Sequence, residues 1–299
     1  MKASREHRRL VPSVVRALRP VQWIKNAVVF AALIFSRQLF VPGLAFRCAL
    51  GFLVFCALSS AAYLLNDVHD VAADRLHPLK RQRPVAAGHV AVGTARAIAL
   101  VLAGIGLGVA LALDPAFGAC AVAYLALQLA YSLALRKFIL LDVIGISLGF
   151  VVRAAAGAAL ARVVPSPWLV ICTFLLALFL ALAKRRHELV LLDADATAHR
   201  ASLAHYTAAF LDQTLALVAA ATVVAYTLYT LAPEVRAQLH TDALYVTLPI
   251  VVYGVLRYLW LVHRRDLGGD PTQHLLADAG LLGAVVLWLG VAALLIYGR

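Results

Sequence analysis

The sequence predicts an all-α fold, a polytopic membrane bundle of about nine transmembrane helices. Three observations predict it. The first is hydrophobicity: of 299 residues, 63% are apolar and 14% charged, with a mean hydropathy of +0.88. Ordinary globular chains run near 45–50% apolar and about 25% charged, so a soluble fold of this size would leave too much apolar surface in water. The second is that apolar stretches of about 18–22 residues recur along the chain, the length that crosses a bilayer as helix. The third is the formal net charge of +12. In a soluble protein such an excess points to nucleic acid; in a membrane protein it is the lysine and arginine bias that orients the chain.

Taken in order, the apolar runs place spans at 21–36, 43–65, 94–113, 116–135, 139–161, 167–184, 207–231, 243–262 and 279–297. Turn-forming residues punctuate them. Val41-Pro42-Gly43 separates the first two, Asp114-Pro115 the third and fourth, and Pro165-Ser166-Pro167 the fifth and sixth. Pro233 follows the seventh, and Gly268-Gly269-Asp270-Pro271 precedes the ninth. Residues 1–299 read as one integral-membrane domain. Its basic tail, 1–20, and the loops 66–93, 185–206 and 263–278 are long enough to carry a site. The tail shows no apolar core followed by a cleavage site, so no cleavable signal peptide is expected.

The charges then sort by side. About 19 Lys and Arg fall in the tail and in the loops after spans 2, 4, 6 and 8, against about five on the other side. That bias puts the N-terminus and the long loops in the cytoplasm and the chain in the cell (inner) membrane. It also removes the nucleic-acid reading. The four cysteines, Cys48, Cys56, Cys120 and Cys172, all fall inside spans without metal-ligand spacing and read as packing residues.

Acids are few, so their placement is informative. Span 2 runs into Asn66-Asp67-Val68-His69-Asp70-Val71-Ala72-Ala73-Asp74. On a continuous helix Asp70, Asp74 and Asp67 lie at about 40°, 80° and 100° from Asn66, one face at the membrane boundary. Carboxylates so close repel unless a cation sits among them, and all-oxygen donors suit Mg²⁺, which takes carboxylates together with substrate phosphates. A solvated helix end is the plainer alternative. Next come Arg75, Lys80, Arg81 and Arg83, suited to the remaining oxygens of a metal-bound diphosphate and equally to a topogenic loop.

Span 6 ends in Lys184-Arg185-Arg186-His187-Glu188, with Asp193 and Asp195 beyond. If helix continues, Lys184, Glu188 and Asp195 share a second, thinner acidic face on the same side of the membrane. Two such faces can clamp a diphosphate and assist its departure from an activated carbon. Further polar residues could complete the site: Gln22, Trp23, Lys25 and Asn26 open span 1, and Tyr131, Arg136 and Lys137 close span 4. Asp142, Gly149, Arg153 and Gly157 form one stripe of span 5. Arg153 is an intramembrane cation and a functional candidate; a structural pair with another span's polar group is the alternative.

Together these features resemble the UbiA-type intramembrane prenyltransferase superfamily: nine helices, NDxxDxxxD after helix 2 with an RP…G turn (Arg83-Pro84, Gly88), and a second acidic motif after helix 6. Within it the chain is similar to the branch containing decaprenyl-phosphate phosphoribosyltransferase. The resemblance rests on Arg19-Pro20-Val21-Gln22-Trp23-Ile24-Lys25-Asn26, His77-Pro78-x-Lys80-Arg81-x-Arg83-Pro84, Lys184-Arg185-x-x-Glu188, and Arg257-Tyr258 with Gly268-Gly269-Asp270-Pro271 and Asp278. Aromatic-acceptor members usually carry a second DxxxD; here the stretch offers Glu188 and Asp193-x-Asp195, as the phosphoribosyl branch would.

The resemblance implies Mg²⁺-dependent transfer of 5-phosphoribose from phosphoribosyl pyrophosphate to a polyprenyl phosphate, in cell-envelope arabinose-donor synthesis. The alternative is prenyl transfer from a polyprenyl diphosphate to an aromatic or other small acceptor. The carry-over assigns Asp67, Asp70, Asp74 and Glu188 to catalysis and Asn66, Asp67, Asp70, Asp74 and Asp195 to metal. Donor phosphates go to Lys80, Arg83, Tyr131, Lys137, Lys184 and Arg185, and lipid phosphate to Gln22, Lys25 and Arg153. The bilayer is the surrounding partner, and a homo-oligomer stays open. A transporter would place its charges near the midplane in repeated halves; here the acids sit at one membrane face and the sequence shows no repeat.

Overall fold

The computed structural model describes residues 12–77, 80–192, 203, 205–264, 275 and 277–298. Among these there is no strand. The helices are α1 (Pro20–Phe35), α2 (Leu44–His69), α3 (Val71–Leu76), α4 (Val92–Leu113), α5 (Pro115–Leu133), α6 (Leu141–Leu160), α7 (Pro167–Leu192), α8 (Ala208–Leu231), α9 (Pro233–Leu239), α10 (Leu248–Arg264) and α11 (Ala279–Tyr297). Among the described residues, eight segments are long and apolar enough to cross a membrane, and a ninth is counted if Pro12–Leu18 and α1, bent by 40°, form one span. Leu100, Ile105, Val286 and Leu294 point outward at 60–69% exposure, an apolar exterior that only lipid accommodates. This is a multi-pass membrane protein.

The helices pack in chain order: α2 on α4, α4 on α5, α5 on α6, α6 on α7, α7 on α8, α8 on α10 and α10 on α11. α1 lies between α2 and α6. Its C-terminal end meets α11, where the Tyr297 hydroxyl donates to the Ile34 carbonyl at 2.8 Å and Phe35 packs on Trp288. One core gathers Phe55, Phe117, Tyr124 and Leu160 around α1; another gathers Phe179, Leu211, Tyr258 and Leu261 around α7.

Two local departures from the expected helices matter for the site. The first span is not a regular α-helix: Pro20–Phe30 winds as a 3-10 helix and only Ala31–Phe35 is α-helical. Three residues per turn align Trp23, Asn26 and Val29 in one row. The Trp23 indole donates to Ser60 at 3.0 Å, Asn26 donates to Ser59 at 3.2 Å, and Val29 is fully buried. The backbones approach so closely there that a Cβ on Gly157 of α6 would stand 2.0 Å from the Val29 carbonyl oxygen.

The second departure is at the acidic motif. The helix does not run on through Asp74; it breaks at Asp70 (φ −94°, ψ 6°) and restarts as α3. The single-helix angles expected for the acids therefore do not apply. At the end of α7, by contrast, helix continues past Glu188 to Leu192.

Candidate active site

The break at Asp70 splits the three carboxylates into two groups. Asp67, in the last turn of α2, and Asp74, on α3, are both buried and both bind Arg83. Arg83 Nη1 lies 3.1 Å from Asp67 Oδ1 and 2.7 Å from Asp74 Oδ2. Arg83 reaches them because the chain folds back after α3. Arg75 Nε donates to the Ala86 carbonyl at 3.3 Å, Gly88 takes a left-handed φ of 77°, and Val85 and Val90 are buried against α2 and α4.

Arg19 approaches Asp67 from the other side, with Nη2 2.5 Å from Oδ1 and its guanidinium 4.8 Å from the centre of the Tyr63 ring. A left-handed backbone at Arg19 (φ 55°) aims it there just before Pro20. Arg16, Arg19, Asp67, Gln82 and Arg83 border a cavity of about 240 Å³. Asp67 Oδ2 is buried without a hydrogen-bond partner.

Asp70 turns toward α5. Arg136 grips it with both Nη atoms, at 2.5 and 2.7 Å, and reaches Asn66 Oδ1 at 3.4 Å, which also accepts from Ser132 at 2.8 Å. Burial pushes the Asp70 carboxyl up, but the Arg136 hydrogen bonds and charge outweigh it and hold the group below the ordinary aspartate range. Asp70 in turn raises Arg136.

On α7, Arg185 is fully buried. It pairs with Glu188 one turn on, donates to the Tyr131 hydroxyl at 3.2 Å, and has Nε 2.7 Å from Asp142 Oδ2. Lys184 Nζ lies 4.0 Å from Glu188 Oε1. Lys80 and Lys184 are half-buried, Lys137 is exposed, and Gln22 and Lys25 are half-buried along α1. Asp195 lies outside the described residues. Arg153 is buried among protein partners. It donates to Asn26 Oδ1 at 2.8 Å, the Gly149 carbonyl at 3.1 Å and the Tyr124 hydroxyl at 2.7 Å, tying α1, α5 and α6 together. These are the structural contacts that the sequence reading held as its alternative.

The structure gives definite partners to three residues that the sequence names without assigning them a ligand. Arg19 lies in the Arg19–Asn26 stretch, Arg136 among the polar residues closing span 4, and Asp142 in the stripe of span 5. Their partners lie 48, 66 and 43 or so positions away in the chain, and no local spacing signals such pairs.

Residues 27–277 match the UbiA prenyltransferase family. Two relatives, each named decaprenyl-phosphate phosphoribosyltransferase, are similar over nearly the whole chain. That of Corynebacterium glutamicum is 34% identical over 96% of this chain and 88% of its own. That of Mycobacterium tuberculosis is 35% identical over 97% and 96%. A UbiA homolog from Archaeoglobus fulgidus, solved with GPP and Mg²⁺, superposes with a TM-score of 0.72 at 19% identity, covering 95% of this chain and 99% of that one. The motifs, the helix order and these likenesses agree: the chain belongs to the UbiA prenyltransferase family.

Proposed function

We propose that the chain transfers 5-phosphoribose from phosphoribosyl pyrophosphate to a polyprenyl phosphate of decaprenyl type, releasing pyrophosphate, with Mg²⁺ at the acidic motif. The observation that carries this reading is the density of cations around the acids. Arg19, Arg83 and Arg136 touch Asp67, Asp70 and Asp74 directly, and the loops that flank them add Lys80 and Lys137. A donor with phosphate at both ends calls for more cations than a prenyl diphosphate does. The names of the relatives support the same reaction.

The acidic motif fits a hard cation in one respect and resists it in another. Asp67 Oδ2 is a buried carboxylate oxygen without a hydrogen-bond partner, and the candidate ligands Asn66, Asp67, Asp70 and Asp74 offer side-chain oxygens. Yet among the described residues no three acids, histidines or cysteines converge as a ready-made cage. That combination suits Mg²⁺, which keeps water and substrate phosphate oxygens and needs only one or two carboxylates. Asp67 and Asp74, with Asn66 and Asp70 beside them, would hold it; Asp195 stays a candidate on the second side.

When bound, Mg²⁺ supplies charge neutralisation on the departing pyrophosphate. Arg83, Lys80, Lys137 and Lys184 bind the donor phosphates and stabilise the charge that grows on the leaving group. Glu188 faces the ribose hydroxyls or the second side of the diphosphate. Gln22 and Lys25 orient the lipid phosphate, whose oxygen attacks ribose C1. That oxygen is already ionised, so no general base is required, and catalysis is positioning plus charge stabilisation. The reading places the site on the cytoplasmic face of the inner membrane and the activity in cell-envelope arabinose-donor synthesis.

The test offers the purified protein radiolabelled phosphoribosyl pyrophosphate with polyprenyl phosphate and, separately, prenyl diphosphate with 4-hydroxybenzoate. Labelled lipid in the first reaction alone is the expected result. Product in the second alone overturns the reading.

A further inference from the structure

Asp142 is fully buried at the start of α6 and was given no part in the donor site above. Two other parts of the chain converge on it, Arg185 of α7 and Tyr206 ahead of α8. Its Oδ2 lies 2.7 Å from Arg185 Nε, a close ion pair rather than an aligned hydrogen bond. Its Oδ1 accepts from the Tyr206 hydroxyl at 2.8 Å. The same Tyr206 oxygen accepts the Leu140 N–H at 2.8 Å. Leu140 has φ 65°, a region that branched side chains seldom occupy, so this contact holds a turn that would otherwise relax. That turn follows Arg136 and Lys137.

Arg185 thus carries one positive charge between two carboxylates of different standing. The Asp142 side chain is 0% exposed and can serve only protein; the Glu188 side chain is 24% exposed and open to a ligand. A guanidinium with a single carboxylate partner can bind it through two parallel N–H···O bonds along one edge. With Asp142 on its Nε edge, Arg185 meets Glu188 through Nη1 and Tyr131 through Nη2.

We propose that Asp142, with Tyr206, is a positioning residue that divides Arg185 between itself and Glu188, and so sets where the Glu188 carboxylate sits and how much of its negative charge is cancelled. This deepens the donor-site reading and rests on Glu188 facing the donor. Without Asp142, the guanidinium closes on Glu188 alone and draws it away from the metal–diphosphate. Losing the Tyr206 hydroxyl loosens both Asp142 and the Leu140 turn, a smaller change.

The experiment measures binding of pyrophosphate with Mg²⁺ to the full chain in nanodiscs by calorimetry, for Asp142→Asn, Glu188→Gln and the double variant, beside each melting temperature. Pyrophosphate is common to phosphoribosyl and prenyl donors, so the readout does not depend on which donor is used. Each single variant is expected to weaken binding about tenfold, and the double variant no further, because both act through one carboxylate. Asp142→Glu is expected to restore affinity to within about threefold. If Asp142→Asn does not accumulate folded, Tyr206→Phe takes its place in the cycle, with about a threefold loss expected that vanishes in the Glu188→Gln background.

Wild-type affinity in Asp142→Asn beside weakened Glu188→Gln overturns the sharing of Arg185 alone. So does a double variant weakened by the product of the singles. Wild-type affinity in Glu188→Gln overturns the donor-site reading of Glu188 and the proposal with it.

Discussion

Replacing Arg83 by Gln tests how the acids are held together. Asp67 and Asp74 both contact Arg83 Nη1, so their bonded oxygens are no more than roughly 6 Å apart. At an effective dielectric of about 20, two negative charges at that separation repel by about 3 kcal/mol. The side chains are 1% and 4% exposed and that of Arg83 is 25% exposed, so solvent screens the group only in part. Arg83→Gln removes the attraction and leaves the repulsion, while Arg19 still neutralises part of Asp67. The expected loss is about 2–3 kcal/mol. Asp74→Asn in the same chain removes the repulsion and should recover about 2 kcal/mol of it. Equilibrium unfolding in mixed micelles, followed by tryptophan fluorescence, measures both. A loss below about 0.5 kcal/mol, or a double variant no more stable than Arg83→Gln, would refute the reasoning.

Asp70 is held below the ordinary aspartate value of 3.8, so its contribution is present above that value and is lost as pH falls through the lower folded one. The stability gap between wild type and Arg136→Gln should therefore be about 1–2 kcal/mol at pH 7 and shrink as the pH falls below 3.8; a gap that widens in acid contradicts this. Gly157→Ala pushes α1 off α6 and should cost about 1–3 kcal/mol, seen as a lower melting temperature; an unchanged melting temperature means the approach of Val29 is not tight. Asp67→Asn should abolish turnover and still elute as folded protein from size exclusion, whereas full activity removes Asp67 from the metal site. EDTA should stop turnover and excess Mg²⁺ restore it; activity that survives chelation argues against the metal.

Most of the bundle was legible because a long apolar run bounded by proline or glycine is a signal summed over many residues. The exception was α1, whose apolar residues satisfy an α-helical period as well as a 3-10 one. The choice is made by contacts: the row Trp23, Asn26 and Val29 must face Ser59, Ser60 and Gly157, and none of these is near in sequence. The acidic motif was visible, but its geometry was not. A wheel drawn through Asp74 assumes a helix that Asp70 interrupts, and Asp67 and Asp74 meet through Arg83 rather than by sharing a helix face. Arg19 and Arg136 carry no local mark because each finds its acid across the fold. Asp142 was drawn into one stripe with Arg153, yet the two take different partners, Arg185 for one and Asn26 and Tyr124 for the other.

The central claim is that ribose C1 moves to a lipid phosphate while the donor's pyrophosphate departs. A donor labelled at once in its 5-phosphate and in the terminal phosphate of its pyrophosphate tests this in one reaction with polyprenyl phosphate. The account predicts that the 5-phosphate label enters the lipid phase, matched mole for mole by labelled pyrophosphate released into water. Both labels in water after full incubation with active protein, or both in the lipid, would contradict it.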